Sequence, residues 1–376
     1  MPEKHGVVAP LTEYVKFLPF ELLPTFWTEA ERELLKGTSL GPALDAKLKS
    51  LYREYDSFRI ATATIPWCAS CWWDEVDGLL NFDDWLQVDA MYRSRALEFP
   101  GIGDCMAPCI DMANHEGGDL TKAIYEVDSD GAALLILREN QAVDAGSQIS
   151  ITYGDNKGAC ELLFSYGFIE SSMDDARELF LELSIPDDDP LKPAKKAVAK
   201  TAPGVKLIQN SDKVEWHSDY IWLICINEED GLDFAVQQTL EGQRELKAFW
   251  KEQELSSVDL LEELLKADAK WPIFRLRATS IIREQVEARL ELMVQAHMEQ
   301  ESSAATTSTD LRERPLQSIA RLRELEGELL EATRQSCDAT VSTLCCTLDS
   351  ISHLVDERAH QQRCCTTIPI RSWVHN

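Results

Sequence analysis

An α+β fold is predicted for this chain of 376 residues by three observations. Apolar residues recur at helical spacing before about residue 97. Short strands divided by turn residues run from about 105 to 170. Long amphipathic segments return beyond about 204. The length allows about two domains. They are expected at 1–172, a helical insert (about 11–97) with a strand-rich core (about 98–172), and at 173–376, a mostly α-helical part whose tail from about 364 is disordered.

The elements follow in order. Thr28-Glu-Ala-Glu31 is a capping-box pattern, and Gly37 is a natural helix stop. Leu44, Leu48, Leu51 and Tyr55 then recur at helical spacing. Trp67-Cys-Ala-Ser-Cys71-Trp72-Trp73 forms an aromatic, thiol-rich stretch, and a further helix over 81–97 ends in Tyr92-Arg-Ser94-Arg95. Ala123-Ile-Tyr125-Glu-Val127 alternates as a strand, Asp128-Ser-Asp-Gly131 is a turn, and Ala133-Leu-Leu-Ile-Leu137 reads as a buried apolar strand. Asp144-Ala-Gly146 turns the chain into Gln148-Ile-Ser-Ile-Thr-Tyr153. A short helix over 159–166 stops at Gly167. Pro186-Asp-Asp-Asp-Pro190 opens an exposed loop or boundary reaching 204. Helices are expected over 255–265, 273–298 and 315–359, with a Ser/Thr/Ala loop at 302–309. Leu316, Ile319, Leu322, Leu325 and Leu329 share one helical face.

Composition excludes several classes. No run of eighteen apolar residues is present, so no transmembrane helix is expected. No signal-peptide core follows Met1-Pro-Glu-Lys-His5. The eleven cysteines are then reduced thiols of a cytoplasmic or nuclear protein. A net charge of −28 argues against direct nucleic-acid binding. On its own it reads as a solubilising surface. It is also compatible with steering a basic protein substrate. Cys68-x-x-Cys71 and Cys105-x-x-x-Cys109 could be imagined as zinc ligands, but their spacing is uneven, and buried thiols are expected instead. Cys345-Cys346 and Cys364-Cys365 are poor ligand pairs. No metal is expected. Pro100-Gly101-Ile-Gly103 follows no apolar strand and opens no helix, so it is no dinucleotide fingerprint.

The chemistry concentrates in Asp111-Met-Ala-Asn114-His115 and in Ile149-Ser-Ile-Thr-Tyr153-Gly154, which runs on to Tyr166-Gly167-Phe168. In order with Ser94-Arg95, Tyr125 and the late segment Arg321-Leu-Arg323-Glu-Leu-Glu326, these resemble SET-domain protein-lysine methyltransferases of the Rubisco large-subunit and ribosomal-protein branch. The resemblance covers nearly the whole chain. It implies a β-rich SET fold with a helical insert and a helical substrate-binding domain behind it. It also implies S-adenosylmethionine (SAM) as cofactor, with no metal, and methyl transfer to a lysine of a non-histone, ribosomal or translational protein of basic character. Tyr153 would be the catalytic tyrosine. Arg95 would meet the SAM carboxylate, and Asn114 and His115 would bind SAM, the histidine largely through its backbone. Tyr125 and Tyr166 would wall the lysine channel, with Ser94 and Asp111 in the substrate-binding set. Each has a plainer alternative. Tyr153 could be a strand-end core residue, His115 a core histidine, Arg95 an ion-pair partner, Tyr166 a packed helix end and Asp111 a structural residue.

Two departures from the branch stand out. The chain enters the helical insert almost at once, at Thr12-Glu-Tyr-Val-Lys-Phe-Leu18, without the strand-rich Gly-x-Gly turn that approaches SAM. A SET domain lacking its N-terminal strands is therefore expected. Gly158-Ala-Cys160 also stands where the branch has an asparagine. A catalytically inactive SET-like binding module, or a truncated fragment, is the alternative to an enzyme. Histidine methylation of a target such as actin is a further one, which Tyr125-Glu126 fits less well.

Overall fold

The computed structural model describes residues 11–20, 22–74, 80–210, 213–238, 243–304 and 311–365. The chain divides into two compact units. The first comprises Met1–Arg177 with Met293–Glu326, and the second Glu178–Leu292 with Gly327–Asn376.

In the first unit the insert consists of helices α1 (Thr12–Phe17), α2 (Glu29–Glu33), α3 (Leu40–Thr62), α4 (Pro66–Cys71) and α5 (Phe82–Arg95). The Thr28/Glu31 capping box forms as the spacing predicts, and a second joins Asn81 to Asp84 at the start of α5. Leu44 and Leu51 are buried on α3. Tyr55 and Phe58 of the same helix pack against Trp72, Trp73 and Trp85. Of the four thiols expected to be buried, only Cys68 is; Cys71 and Cys105 are half-buried and Cys109 is exposed. Cys109 sits at φ 75°, in the left-handed region.

The strand core is small and dispersed. β1 (Leu97–Phe99) pairs with β2 (Gly103–Cys105), β3 (Asn114–His115) with β6 (Ser150–Ile151), and β4 (Ala123–Val127) with β5 (Ala133–Leu137). The Asp128–Gly131 turn closes the β4–β5 hairpin, with Asp128 Oδ1 accepting from the amides of Asp130 and Ala132. β5 corrects one expectation, since all five of its residues are exposed. It pairs only with β4 among the described residues, so neither face is covered. Of the Gln148–Tyr153 run, only Ser150 and Ile151 form a strand. α6 (Ala159–Tyr166) ends, as predicted, on Gly167 in the left-handed conformation at φ 75°.

The part from residue 173 on is helical at its end but opens with strands that the spacing did not reveal. β7 (Glu178–Glu182), β8 (Gly204–Asn210) and β9 (Lys213–His217) form one antiparallel sheet. β10 (Leu232–Gln238), β11 (Arg244–Trp250) and β12 (Gln253–Glu254) form another. Helices α7 (Lys192–Val198), α8 (Tyr220–Cys225) and α9 (Leu261–Lys266) lie between and after them. Two long helices follow, α10 (Trp271–Ala304) and α11 (Glu313–Cys365). Four of the five residues of the predicted α11 face are buried, and Leu316 is exposed. The expected loop at 302–309 begins on the last turn of α10, and its positions from 305 lie outside the described residues. Residues 364 and 365 end α11, and the expected disordered tail beyond them also lies outside.

The late segment of the first unit is tied to the insert by buried charge. Glu31 accepts from the backbone N–H of Arg312 (3.1 Å) and from its Nε (2.8 Å). These bonds hold the Glu31 carboxyl at about 2. That value lies below the unfolded value of about 4.3. The stabilisation is therefore complete above about pH 4.3 and is lost as the pH falls toward 2. Glu31→Gln is expected to lower stability at neutral pH by about 1–3 kcal/mol. It is also expected to flatten the loss over the acid window, both readable from urea midpoints measured against pH.

Candidate active site

The hydrophobic cluster beneath the two signature segments contains Leu97, Phe99, Ala107, Ile110, Ala113, Ala123 and Ile151, and Tyr125 and Tyr153 pack against its edge. Burying such side chains contributes roughly 1.5–3 kcal/mol for each large one, and this cluster fixes the backbone from which the site projects. Across it β3 and β6 run parallel, with Asn114 opposite Ser150 and His115 opposite Ile151. The Glu116 amide extends the ladder to the Ile151 carbonyl at 3.0 Å.

Tyr153 leaves β6 held at both ends. Its backbone N–H donates to His115 Nδ1 at 3.0 Å, and its hydroxyl donates to the Ala113 carbonyl at 2.8 Å. The His115 ring stacks on the phenol at 5.1 Å, and the Tyr166 ring centroid lies 4.6 Å from it. Gly154 follows at φ 128°, and a Cβ there would come to 3.0 Å from the Lys157 side chain. The turn beyond is fastened through Asp155, which accepts from the Gly118 amide (3.1 Å) and the Thr152 hydroxyl (2.9 Å). These bonds, the Gly118 amide foremost, hold the Asp155 carboxyl below the usual carboxylate range.

A cavity of about 540 Å³ opens in front of Tyr153, a size suited to a small-molecule site. It brings together six of the eight sequence-predicted residues: Ser94, Arg95, Asp111, Tyr125, Tyr153 and Tyr166. Asn114 and His115 do not line it. Asn114 is exposed on β3, and the His115 side chain is 3 % exposed beneath the tyrosine. Arg95 projects from the last turn of α5 and donates from Nη1 to the Asp111 carbonyl at 3.0 Å. The Ser94 hydroxyl donates back to the Ala90 carbonyl at 2.7 Å.

Asp111 is 5 % exposed. Its Oδ2 accepts from the Tyr14 hydroxyl, while its Oδ1 meets no hydrogen-bond partner among the described residues. A buried carboxylate oxygen in that state is an unsatisfied acceptor that costs stability. Burial pushes the Tyr14 phenol up, and its bond to Asp111 adds to this. Burial also raises Tyr125, helped by Glu98 and Asp104. It raises Tyr166 against the opposing charge of Lys157. Both wall tyrosines therefore remain neutral phenols across the physiological range.

Sequence reasoning missed several neighbours. Tyr14 carries no pattern that points to Asp111, which is distant in the chain. Lys157 and Glu161 form an ion pair on the cavity wall. Glu98 and Asp104 also line the cavity, and Glu170 binds His115. Their signal is purely spatial.

No family model matches the chain. In sequence it is 26 % identical to the SET domain-containing protein 8 of Schizosaccharomyces pombe over 288 residues, 75 % of this chain and 63 % of that protein. It is 30 % identical over 201 residues to the chloroplastic ribulose-1,5 bisphosphate carboxylase/oxygenase large subunit N-methyltransferase of Pisum sativum, covering 50 % of this chain and 39 % of that one. The chain thus spans less than two thirds of the length of these relatives. A solved structure of the SET domain of LSMT bound to lysine and AdoHcy superposes with a TM-score of 0.61 at 20 % identity, over 89 % of this chain and 72 % of that one. The resemblance to SET-domain proteins of the Rubisco large-subunit branch holds in sequence and in fold.

In an alkaline titration followed by phenolate absorbance, Tyr125→Phe and Tyr166→Phe are each expected to remove one phenol from the region above the ordinary value of about 10. The lower part of the curve is expected to stay unchanged.

Proposed function

We propose that this SET-domain chain carries the site of a SAM-dependent protein-lysine N-methyltransferase acting on a non-histone protein of basic character, with ribosomal or translational proteins as the substrate class. The reading rests above all on one observation. Tyr153, Tyr125, Tyr166, Asp111 and Arg95 converge on a single cavity. The relatives support it, since the pea protein's name gives the ribulose-1,5 bisphosphate carboxylase/oxygenase large subunit as that protein's own target, and that target is not a histone. We assign methyl transfer to the part before residue 173, protein recognition to the part from 173 on, and the activity to the cytoplasm or nucleus.

The donor set suits the cofactor. A guanidinium beside a buried carboxylate matches an amino-acid head group, and phenol rings and carbonyl oxygens suit a neighbouring cation. Arg95 would hold the SAM carboxylate, and the Asn114-His115 backbone would lie along the rest of the molecule. Bound SAM supplies an electrophilic methyl group on a sulfonium sulfur.

The residues of the chain supply position and protonation state. Because the Tyr153 hydroxyl gives its proton to the Ala113 carbonyl, its oxygen has only acceptor capacity left. It can take an N–H from the target amine but cannot donate to the amine lone pair, which stays free to attack. Tyr125 and Tyr166, kept neutral by burial, line the channel without adding negative charge that would hold the amine as ammonium. At the rim, Glu98 and Asp104 stand directly opposite each other on the β1–β2 hairpin. Like charges so placed disfavour the hairpin, and a basic segment flanking the target lysine would relieve them.

Titration calorimetry of the chain with SAM is expected to give saturable binding, weakened at least about tenfold by Arg95→Ala. With labelled SAM and dissociated ribosomal proteins, Tyr153→Phe is expected to lower kcat by about 10²-fold with little change in SAM affinity. A folded chain that binds no SAM, or a Tyr153→Phe protein with full activity, would refute the reading.

A further inference from the structure

Glu170 does not line the cavity, yet it is bound to the residue that holds Tyr153. Its Oε1 lies 2.8 Å from His115 Nε2, and the two side chains are 12 % and 3 % exposed. The other ring nitrogen, Nδ1, lies 3.0 Å from the backbone nitrogen of Tyr153. A backbone amide only donates, so Nδ1 accepts. The ring is then neutral, and its one proton sits on Nε2 and is given to Glu170. A proton on Nδ1 would set N–H against N–H at the base of the tyrosine.

We propose that Glu170 is a positioning residue for Tyr153. By holding the His115 proton on Nε2, it keeps Nδ1 free as the acceptor that fixes the backbone from which the phenol projects. This inference rests on Tyr153 being the catalytic phenol. Glu170 is itself held in place. A Cβ at Gly117 would come to 3.0 Å from its Oε2, so a larger residue there would crowd the carboxylate. The Glu170 carbonyl accepts from the Met173 amide at 3.1 Å. Phe168 packs on the His115 ring at 5.8 Å, and Tyr153 stacks on it at 5.1 Å. The ring is therefore confined by packing, and its tautomer by the carboxylate. With the Tyr153 hydroxyl on the Ala113 carbonyl at 2.8 Å, the tyrosine is held at two points, one of which depends on Glu170.

The test combines ¹⁵N NMR of the His115 imidazole with methyl-transfer kinetics. The parent chain is expected to show the Nε2–H tautomer. Glu170→Gln retains an acceptor oxygen, so it is expected to keep that tautomer and a kcat near the parent value. Glu170→Leu keeps the bulk without the acceptor. It is expected to populate the Nδ1–H form and to lose kcat by on the order of 10²-fold, with SAM affinity unchanged. An Nδ1–H tautomer in the parent, or a folded Glu170→Leu protein with parental kcat, would overturn the proposal. If Glu170→Leu fails to fold, the Gln variant decides: loss of kcat with the Nε2–H tautomer retained also overturns it. A parent chain that shows this tautomer dependence but transfers no methyl group would defeat the proposed function while supporting the positioning of Tyr153.

Discussion

Two short stretches of backbone carry the site. Asn114–His115 runs parallel to Ser150–Ile151, and everything chemical is hung from that ladder. A parallel pair of two residues each is too short to persist by its own hydrogen bonds. It persists because Ala113 and Ile151 sit in one buried cluster with Phe99 and Ala123, and because the His115 ring adds a side-chain bond across the junction. Apolar packing supplies the energy, and the ladder supplies the register. A slip of one residue would put Ile151 on the wrong face and take Tyr153 away from the Ala113 carbonyl.

The cavity in front of this ladder is built from groups whose protonation states differ in kind. Asp155 is held ionised by the amide of Gly118, whereas Tyr125 and Tyr166 are held neutral by burial. Asp111 has one oxygen committed to Tyr14 and one buried without a hydrogen-bond partner among the described residues. A buried carboxyl, two phenols and the guanidinium of Arg95 thus share one enclosure.

Much of this was legible in the sequence where local chemistry decides the outcome. The Thr28/Glu31 capping box, the Asp128–Gly131 turn and the Gly167 helix stop depend on neighbours a few residues apart, and each formed as the spacing predicts. The ordered motifs also identified six residues of the cavity wall. What local pattern cannot carry is a contact made across the fold. Tyr14 on Asp111 and Glu170 on His115 join residues with no periodic relation. The apolar run Ala133–Leu137 misled for the same reason. Its composition states what it could bury, but its exposure depends on whether another element covers it. The strands between Glu178 and Glu254 were missed because their burial alternates only in part, as in β10, whose last four residues are all exposed.

The late segment around Arg321–Glu326 shows how sequence order and compactness part company. Its position after the strand-rich second unit suggests a member of a separate substrate-binding domain. Its polar groups nevertheless serve the first unit. Arg321 donates to the Met173 carbonyl, Arg323 to that of Leu34, and Glu326 accepts from the Ser39 amide. Ile319, Leu322 and Leu325 are buried on the same stretch of α11. Glu31 makes the connection mutual, because the carboxylate that caps α2 also takes the guanidinium and the backbone amide of Arg312 just before α11 begins. Removing the late helix would strand a buried carboxylate at the head of α2 and uncover apolar surface. The insert therefore depends on residues almost three hundred positions downstream.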